Sequence, residues 1–213
     1  MVEIKSKMYN IEMRGRLACF TAVESKIERV SYPIPTPSAV EGALSGVMGK
    51  HEIQWHLSQC RVLSKIRHTP VRRNELKEFG NNPVYIENNR AQRTTLYLKD
   101  VHYVFSVFMT IRPDAFTRDI VKYESMFERR MEGGQFEYYP YFGLRELAVS
   151  RYALVDDLSQ FTPIPFSQNF GRMFYGHQYR DRRVVSSKFW EAKIVRGIVN
   201  YPSRDEIFGE IET

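Results

Sequence analysis

The chain has 213 residues, 43% hydrophobic and 26% charged, enough apolar mass for a buried core, which excludes a disordered or fibrous class. A formal charge of +6 and a pI of about 9.3 favour anionic partners, and the 14% aromatic share leans this towards unstacked single strands. Cys19 and Cys60 lie far apart among apolar neighbours with no metal-ligand spacing, as buried thiols of a reducing compartment would. Residues 1–10 do not read as a signal peptide and no apolar run reaches the length of a membrane span, so a cytoplasmic protein without membrane contact is expected.

Residues 7–20 alternate loosely and predict a first strand, bent at Gly15. Three prolines then stiffen residues 31–38, where Thr36 reads as an N-cap with Pro37 at the first helical position. Ala39, Val40, Ala43, Leu44 and Val47 make a helical stripe ending near Gly49. Gly42 and Gly46 inside it weaken the helix, and close packing against a neighbouring strand is the expected reason. Residues 53–66 predict a second strand with a bulge around Ser58-Gln59. Residues 68–93 read as a long polar loop flanked by Arg72, Arg73, Arg90 and Arg93. Residues 94–111 alternate most clearly of all, with Val101, Tyr103, Phe105, Val107 and Met109 on one face and Asp100, His102 and Ser106 on the other.

A basic helix follows. Ile120, Tyr123, Phe127 and Met131 share one face of it, while Arg118, Lys122 and Arg129 fall opposite. Gly133-Gly134 should stop this helix, and aromatic residues Tyr138, Tyr139, Tyr141 and Phe142 come next. A fourth strand is expected over 142–154. The order strand, helix, strand, strand, helix, strand is the βαββαβ pattern of an α+β, ferredoxin-like (RRM-like) domain. Past Asp157 the chain reads as three short strands, at 170–175, 183–190 and 193–199. The expected division is therefore a ferredoxin-like domain over 1–156 and a small C-terminal antiparallel β extension over 157–213, packed on it.

Cations, glycine amides and flat rings within 118–146 suit a phosphate chain with unstacked bases, although the same pattern also fits a solvated helix face before a core strand. Arg72, Arg73, Arg90, Arg93, Arg118, Arg129, Arg145, Gly133 and Gly134 are the candidates for RNA contact. The five histidines, His51, His56, His68, His102 and His177, have no metal spacing, and neither a G-x-x-x-x-G-K-[ST] loop nor a G-x-S-x-G elbow occurs. No metal or other cofactor is expected. Metal-free RNA cleavage needs a base for a ribose 2′-hydroxyl and a cation for the charge developing on phosphorus. Lys122, Tyr123, Lys50 and His51 are the local candidates. Tyr123 falls on the buried side of its helix, and residues placed as Lys50 and His51 are more often complements to the negative end of a helix.

Several motifs together resemble one family: Gly15-Arg16-Leu17-Ala18-Cys19-Phe20-Thr21, Val30-Ser31-Tyr32, Pro35-Thr36-Pro37-Ser38-Ala39 and Ile53-Gln54-Trp55. With them stand Tyr97-Leu98-Lys99-Asp100-Val101-His102-Tyr103, Gly133-Gly134, Phe142-Gly143-Leu144-Arg145-Glu146 and Gly171-Arg172-Met173-Phe174-Tyr175. The chain resembles the Cas-five-d (Dvulg-type) subunit of type I-C CRISPR systems, a member of the RAMP group. The resemblance implies a ferredoxin-like domain with a C-terminal β extension. It also implies recognition of the repeat hairpin in CRISPR precursor RNA, metal-free cleavage at its base, and retention of the guide RNA 5′ handle beside the other subunits of the interference complex. The family's tyrosine near the end of the first helix corresponds here to Met48. Its Lys-His pair falls at Val121-Lys122 or at Lys122-Tyr123, and Lys50 is kept. Either Lys122 works with Tyr123 or His51, or the chain is a non-catalytic scaffold that caps the handle. A metal-dependent DNA nuclease is disfavoured by the absence of a spaced carboxylate cluster.

Overall fold

A computed structural model describes residues 4–25, 28–76, 90–180 and 183–209. The elements run β1 (Tyr9–Ala18), α1 (Pro37–Met48), β2 (Ile53–Val62), β3 (His68–Leu76), β4 (Arg90–Ile111), α2 (Ile120–Gly133), β5 (Arg151–Leu154), a short 3-10 turn (Leu158–Gln160), β6 (Gln168–Arg180), β7 (Arg183–Ile194), β8 (Ile198–Asn200) and α3 (Arg204–Phe208). The fold is mixed α/β and mostly strand. One antiparallel sheet has the order β5-β1-β4-β2-β8, with β3 also on β4, and β6 and β7 form a separate ribbon.

Local chemistry sets the helix ends. Thr36 is extended at φ −86° and ψ 148°, and Pro37 then starts α1 with its ring-fixed φ. Gly49 ends α1 at φ 58°, its N–H donating to the Ser45 carbonyl. Asp119 caps α2 by accepting from the Lys122 N–H, and Gly134 at φ 64° closes it. The stripe Tyr123, Phe127 and Met131 is buried against the sheet, where Phe127 meets Tyr9 at 5.0 Å and Trp55 at 4.8 Å between ring centroids. Burying side chains of this size contributes about 1.5–3 kcal/mol each. Thus α1 and α2 cover one face of the sheet. Asn10, Glu12, Arg14, His102 and Ser106 point to the other.

Four expectations change. Residues 68–76 and 90–93 are strand rather than loop: β3 pairs with β4 from His68↔Leu98 to Leu76↔Arg90, and the intervening part of the expected loop lies outside the described residues. Leu98 faces Ala18 of β1 on one side and His68 of β3 on the other, so β3 occupies the β4 edge that β2 occupies farther along. The fourth strand shortens to Arg151–Leu154 because residues 142–150 turn back on themselves, with the Phe142 N–H donating to Leu147 and the Leu147 N–H to Leu144. The three short C-terminal strands become two long ones and a three-residue β8 that joins β2. Finally, Gly46 does not approach a strand. A Cβ there would stand 3.2 Å from the Tyr138 carbonyl oxygen, and one at exposed Gly42 would meet nothing within 4 Å.

The bulge in β2 does occur, between Leu57 and Gln59. Met173, Phe174, Tyr175 and Trp190 of the ribbon share the main hydrophobic cluster with β1, β2, α1 and α2. Cys19 and Cys60 are both buried, and burial pushes both thiols up. Among the described residues no helix is long and apolar enough to cross a membrane.

Candidate nucleic-acid interface

The end of α1, the length of α2 and the loop after α2 are held together by specific contacts. Arg130 of α2 donates to the Val47 and Met48 carbonyls at 2.7 and 2.9 Å, satisfying the orphan acceptors at the end of α1. The loop past Gly134 then folds over the same helix end. The Tyr138 N–H donates to the Gly46 carbonyl at 2.9 Å, and Glu137 occupies the place a side chain at Gly49 would need. Gly49 is therefore required twice, by its positive φ and by that close approach.

Lys50 and His51 stand exposed on the turn just beyond. Since Arg130 caps the helix, neither is needed for that task. Lys122 is exposed in the first turn of α2, where its backbone N–H donates to the Asp119 carboxylate. Tyr123 is 1% exposed, and its hydroxyl has no hydrogen-bond partner among the described residues. Burial, with the Glu52 carboxylate nearby, pushes that hydroxyl's pKa up, so it stays protonated and the phenolate that would take a proton is not populated. Met48 is wholly buried.

The arginines divide. Cross-strand partners share a face, so Arg73 and Arg93, directly opposite each other, lie on one side of the β3–β4 ribbon, with Arg72 and Arg90 on the other. Arg73 donates to the Tyr97 hydroxyl at 2.6 Å and pairs with Glu146 at 2.7 Å, tying β3 to the segment after α2. Arg118 precedes α2 and donates to the Pro113 carbonyl at 3.3 Å, while Arg129 is exposed on the helix. Arg145 lies over the Tyr138 ring at 5.6 Å, beside exposed Tyr139, and Gly133 and Gly134 are exposed where α2 ends. A guanidinium, two accessible rings and exposed glycines beside Lys50 and His51 suit phosphate and base contact.

On the helix-free face of the sheet, Glu12 is buried and bonded to Arg14, His102 and Arg151. Sequence reasoning leaves His102 as a polar-face or satisfied interior histidine and does not single out the other three. The available signal is the run of polar residues Asn10, Glu12, Arg14 and Arg16 alternating with Ile11 and Met13. Burial would raise the Glu12 carboxyl, but the bonds from His102 and Arg14, with the Arg14 and Arg151 charges, outweigh it and hold it below the usual range. Among the described residues no three His, Cys, Asp or Glu side chains converge as metal ligands.

Comparison with known proteins decides the family. A family model described as "CRISPR-associated protein (Cas_Cas5)", of Cas5d type, matches residues 8–199. The chain belongs to the Cas5d family. A Cas5d protein of Thermus thermophilus, described as a CRISPR pre-crRNA endoribonuclease, is 41% identical over 147 residues, covering 68% of this chain and 62% of that relative. A Mannheimia succiniciproducens Cas5d with the same description is 34% identical over 209 residues, covering 88% of this chain and 92% of the relative. Among solved structures, a CRISPR-associated protein matches with a TM-score of 0.73 at 19% identity, covering 97% of both chains. A chain of a CRISPR RNA-guided surveillance complex matches at 0.56 and 12% identity, over 93% of this chain and 95% of that one. The fold of that CRISPR-associated protein is thus shared along nearly the whole chain.

Proposed function

We propose that this Cas5d chain binds the repeat hairpin of CRISPR precursor RNA, cuts it without a metal and keeps the 5′ handle, in the cytoplasm and beside the other subunits of the type I-C complex. The observation that carries this reading is the family match over residues 8–199, with two relatives described as pre-crRNA endoribonucleases. A ferredoxin-like reading of residues 1–156 is supported by the order β5-β1-β4-β2, two split βαβ units in antiparallel alternation. Residues 157–213 are the extension packed on that unit.

The RNA lies across the α1 end and the loop after α2, with Arg145, Arg129, Gly133 and Gly134 on its phosphates and Tyr138 near its bases. The exposed residues of β3 and β4, Arg72 and Arg90, extend that track. Lys122 stabilises charge on the phosphoryl oxygens, and His51 or Lys50 takes the 2′-hydroxyl proton. A second reading has one specific observation in its favour: Met48, at the family's tyrosine position, and Tyr123, one of the two residues that can stand at its histidine position, are both buried. On that reading the chain caps the handle without cutting.

Incubation with the cognate repeat RNA, resolved on a denaturing gel, separates the two readings. Specific cutting that falls by about 100-fold or more in Lys122→Ala supports the nuclease and its cation. Tight binding with intact RNA supports the scaffold.

A further inference from the structure

We propose that the helix-free face of the sheet carries a phosphate-binding stripe for a single-stranded RNA segment, formed by Arg14, Arg16 and Arg151 and shaped by buried Glu12. It rests on the reading of the chain as an RNA-binding protein and names a second contact surface for that RNA, away from the α1 end.

The core of the stripe is a carboxylate with a 2% exposed side chain. Glu12 Oε1 accepts from Arg14 Nε and from His102 Nε2, each at 2.8 Å, and Oε2 accepts from Arg151 Nε at 3.3 Å. Both guanidiniums are gripped by Nε, and their Nη groups have no partner among the described residues. The Arg14 and Arg151 side chains are 50% and 64% exposed, so those outer edges face water. This is how an arginine fork is readied for an oxyanion, with its orientation fixed in advance. A buried ion cluster is weak evidence of stability, since apolar residues of equal volume often do as well. Glu12 is better explained by the two forks it positions.

Neighbouring residues extend the pattern. Arg16 is the next outward position on β1, about 7 Å from Arg14 by strand geometry, exposed and without a partner among the described residues. Arg61 sits in the row Glu12↔Val104↔Arg61, and its buried Nε also lacks a partner among the described residues. Burial pushes the His102 imidazole down against the pull of Glu12, so it adds no charge at neutral pH, and the arginines outweigh Glu12. At the rim, the Phe161 ring meets His102 edge-on at 6.4 Å, offering a flat surface beside the cations. Cations spaced along an extended strand with a ring at one side match an extended, unstacked nucleic-acid backbone.

The test is fluorescence anisotropy with a 2′-O-methylated copy of the repeat RNA, which cannot be cut, across a range of salt concentrations. Wild type is compared with Arg14→Gln, Arg151→Gln, Arg16→Gln and Arg16→Lys. The stripe predicts that each Gln variant lowers the slope of log K against log salt by about 0.7 and weakens binding about 3- to 5-fold at physiological salt, with Arg16→Lys restoring both. Should Arg14→Gln or Arg151→Gln unfold by stranding Glu12, Arg16→Gln decides, because its side chain supports no buried group. Wild type that binds, with Arg16→Gln unchanged in slope and affinity, overturns the stripe alone. Wild type that fails to bind the RNA overturns the RNA reading and the stripe together.

Discussion

Glu41 provides a quantitative check on how the C-terminal segment is joined to the first helix. It sits on α1, and its Oε2 accepts from Gln54 of β2 at 3.2 Å and pairs with Arg204 of α3 at 3.5 Å. Its other oxygen is buried with no partner among the described residues. Burial raises the carboxyl to about 7 from 4.5, although the Arg204 and Arg112 charges and the Gln54 bond pull the other way. The folded protein therefore holds this proton more tightly than the unfolded chain does. Below the unfolded value the effect on stability is fully present, and it is lost as pH rises through the folded value. At 1.36 kcal/mol per unit, the loss between about pH 4.5 and 7.5 is on the order of 3 kcal/mol. In Glu41→Gln it should vanish. Urea unfolding of both proteins across that range isolates the term, because all other groups cancel in the difference. Parallel stability profiles for the two proteins would refute the reasoning. Arg204→Ala, which removes the main opposing charge, should enlarge the difference.

Further outcomes follow from the geometry. Arg130→Ala removes both bonds that close α1 and should lower the unfolding free energy by about 2–3 kcal/mol, read from denaturant midpoints at unchanged m-value. The glycines should respond with opposite signs. Gly42→Ala, exposed on α1 with open space around it, should stabilise by about 0.5–1 kcal/mol. Gly143→Ala, at φ 82° with its added carbon driven into the Cys19 carbonyl, should lower the melting temperature sharply or prevent folding.

The strands with one apolar face were legible, because alternation in β4 and the wheel of α2 record which side meets the core. The β3 hairpin was not. Arg72, Arg73 and Asn74 pair with Thr94, Arg93 and Gln92, so over these three pairs neither face of the ribbon carries an apolar row to mark it. Arg73 reads in the sequence as one of four arginines flanking a polar loop and is instead tied to Tyr97 and Glu146, partners that only the folded chain brings near. The Glu12 cluster draws on β1, β4 and β5, so its convergence depends on strand order rather than on any local spacing. The buried side of Tyr123 was read correctly from helical period alone. Arg130 as the cap of α1 was not foreseen, because it requires two helices distant in sequence to meet end to flank.

The most direct test of the central claim is cleavage of the cognate repeat RNA by the purified protein in excess EDTA, beside the same RNA with a single 2′-deoxy substitution at the cut. The account predicts one specific cut that EDTA leaves intact and the 2′-deoxy substitution abolishes, since the attacking oxygen is then missing. RNA that is bound but uncut in both samples, or cutting that stops in EDTA, would contradict it.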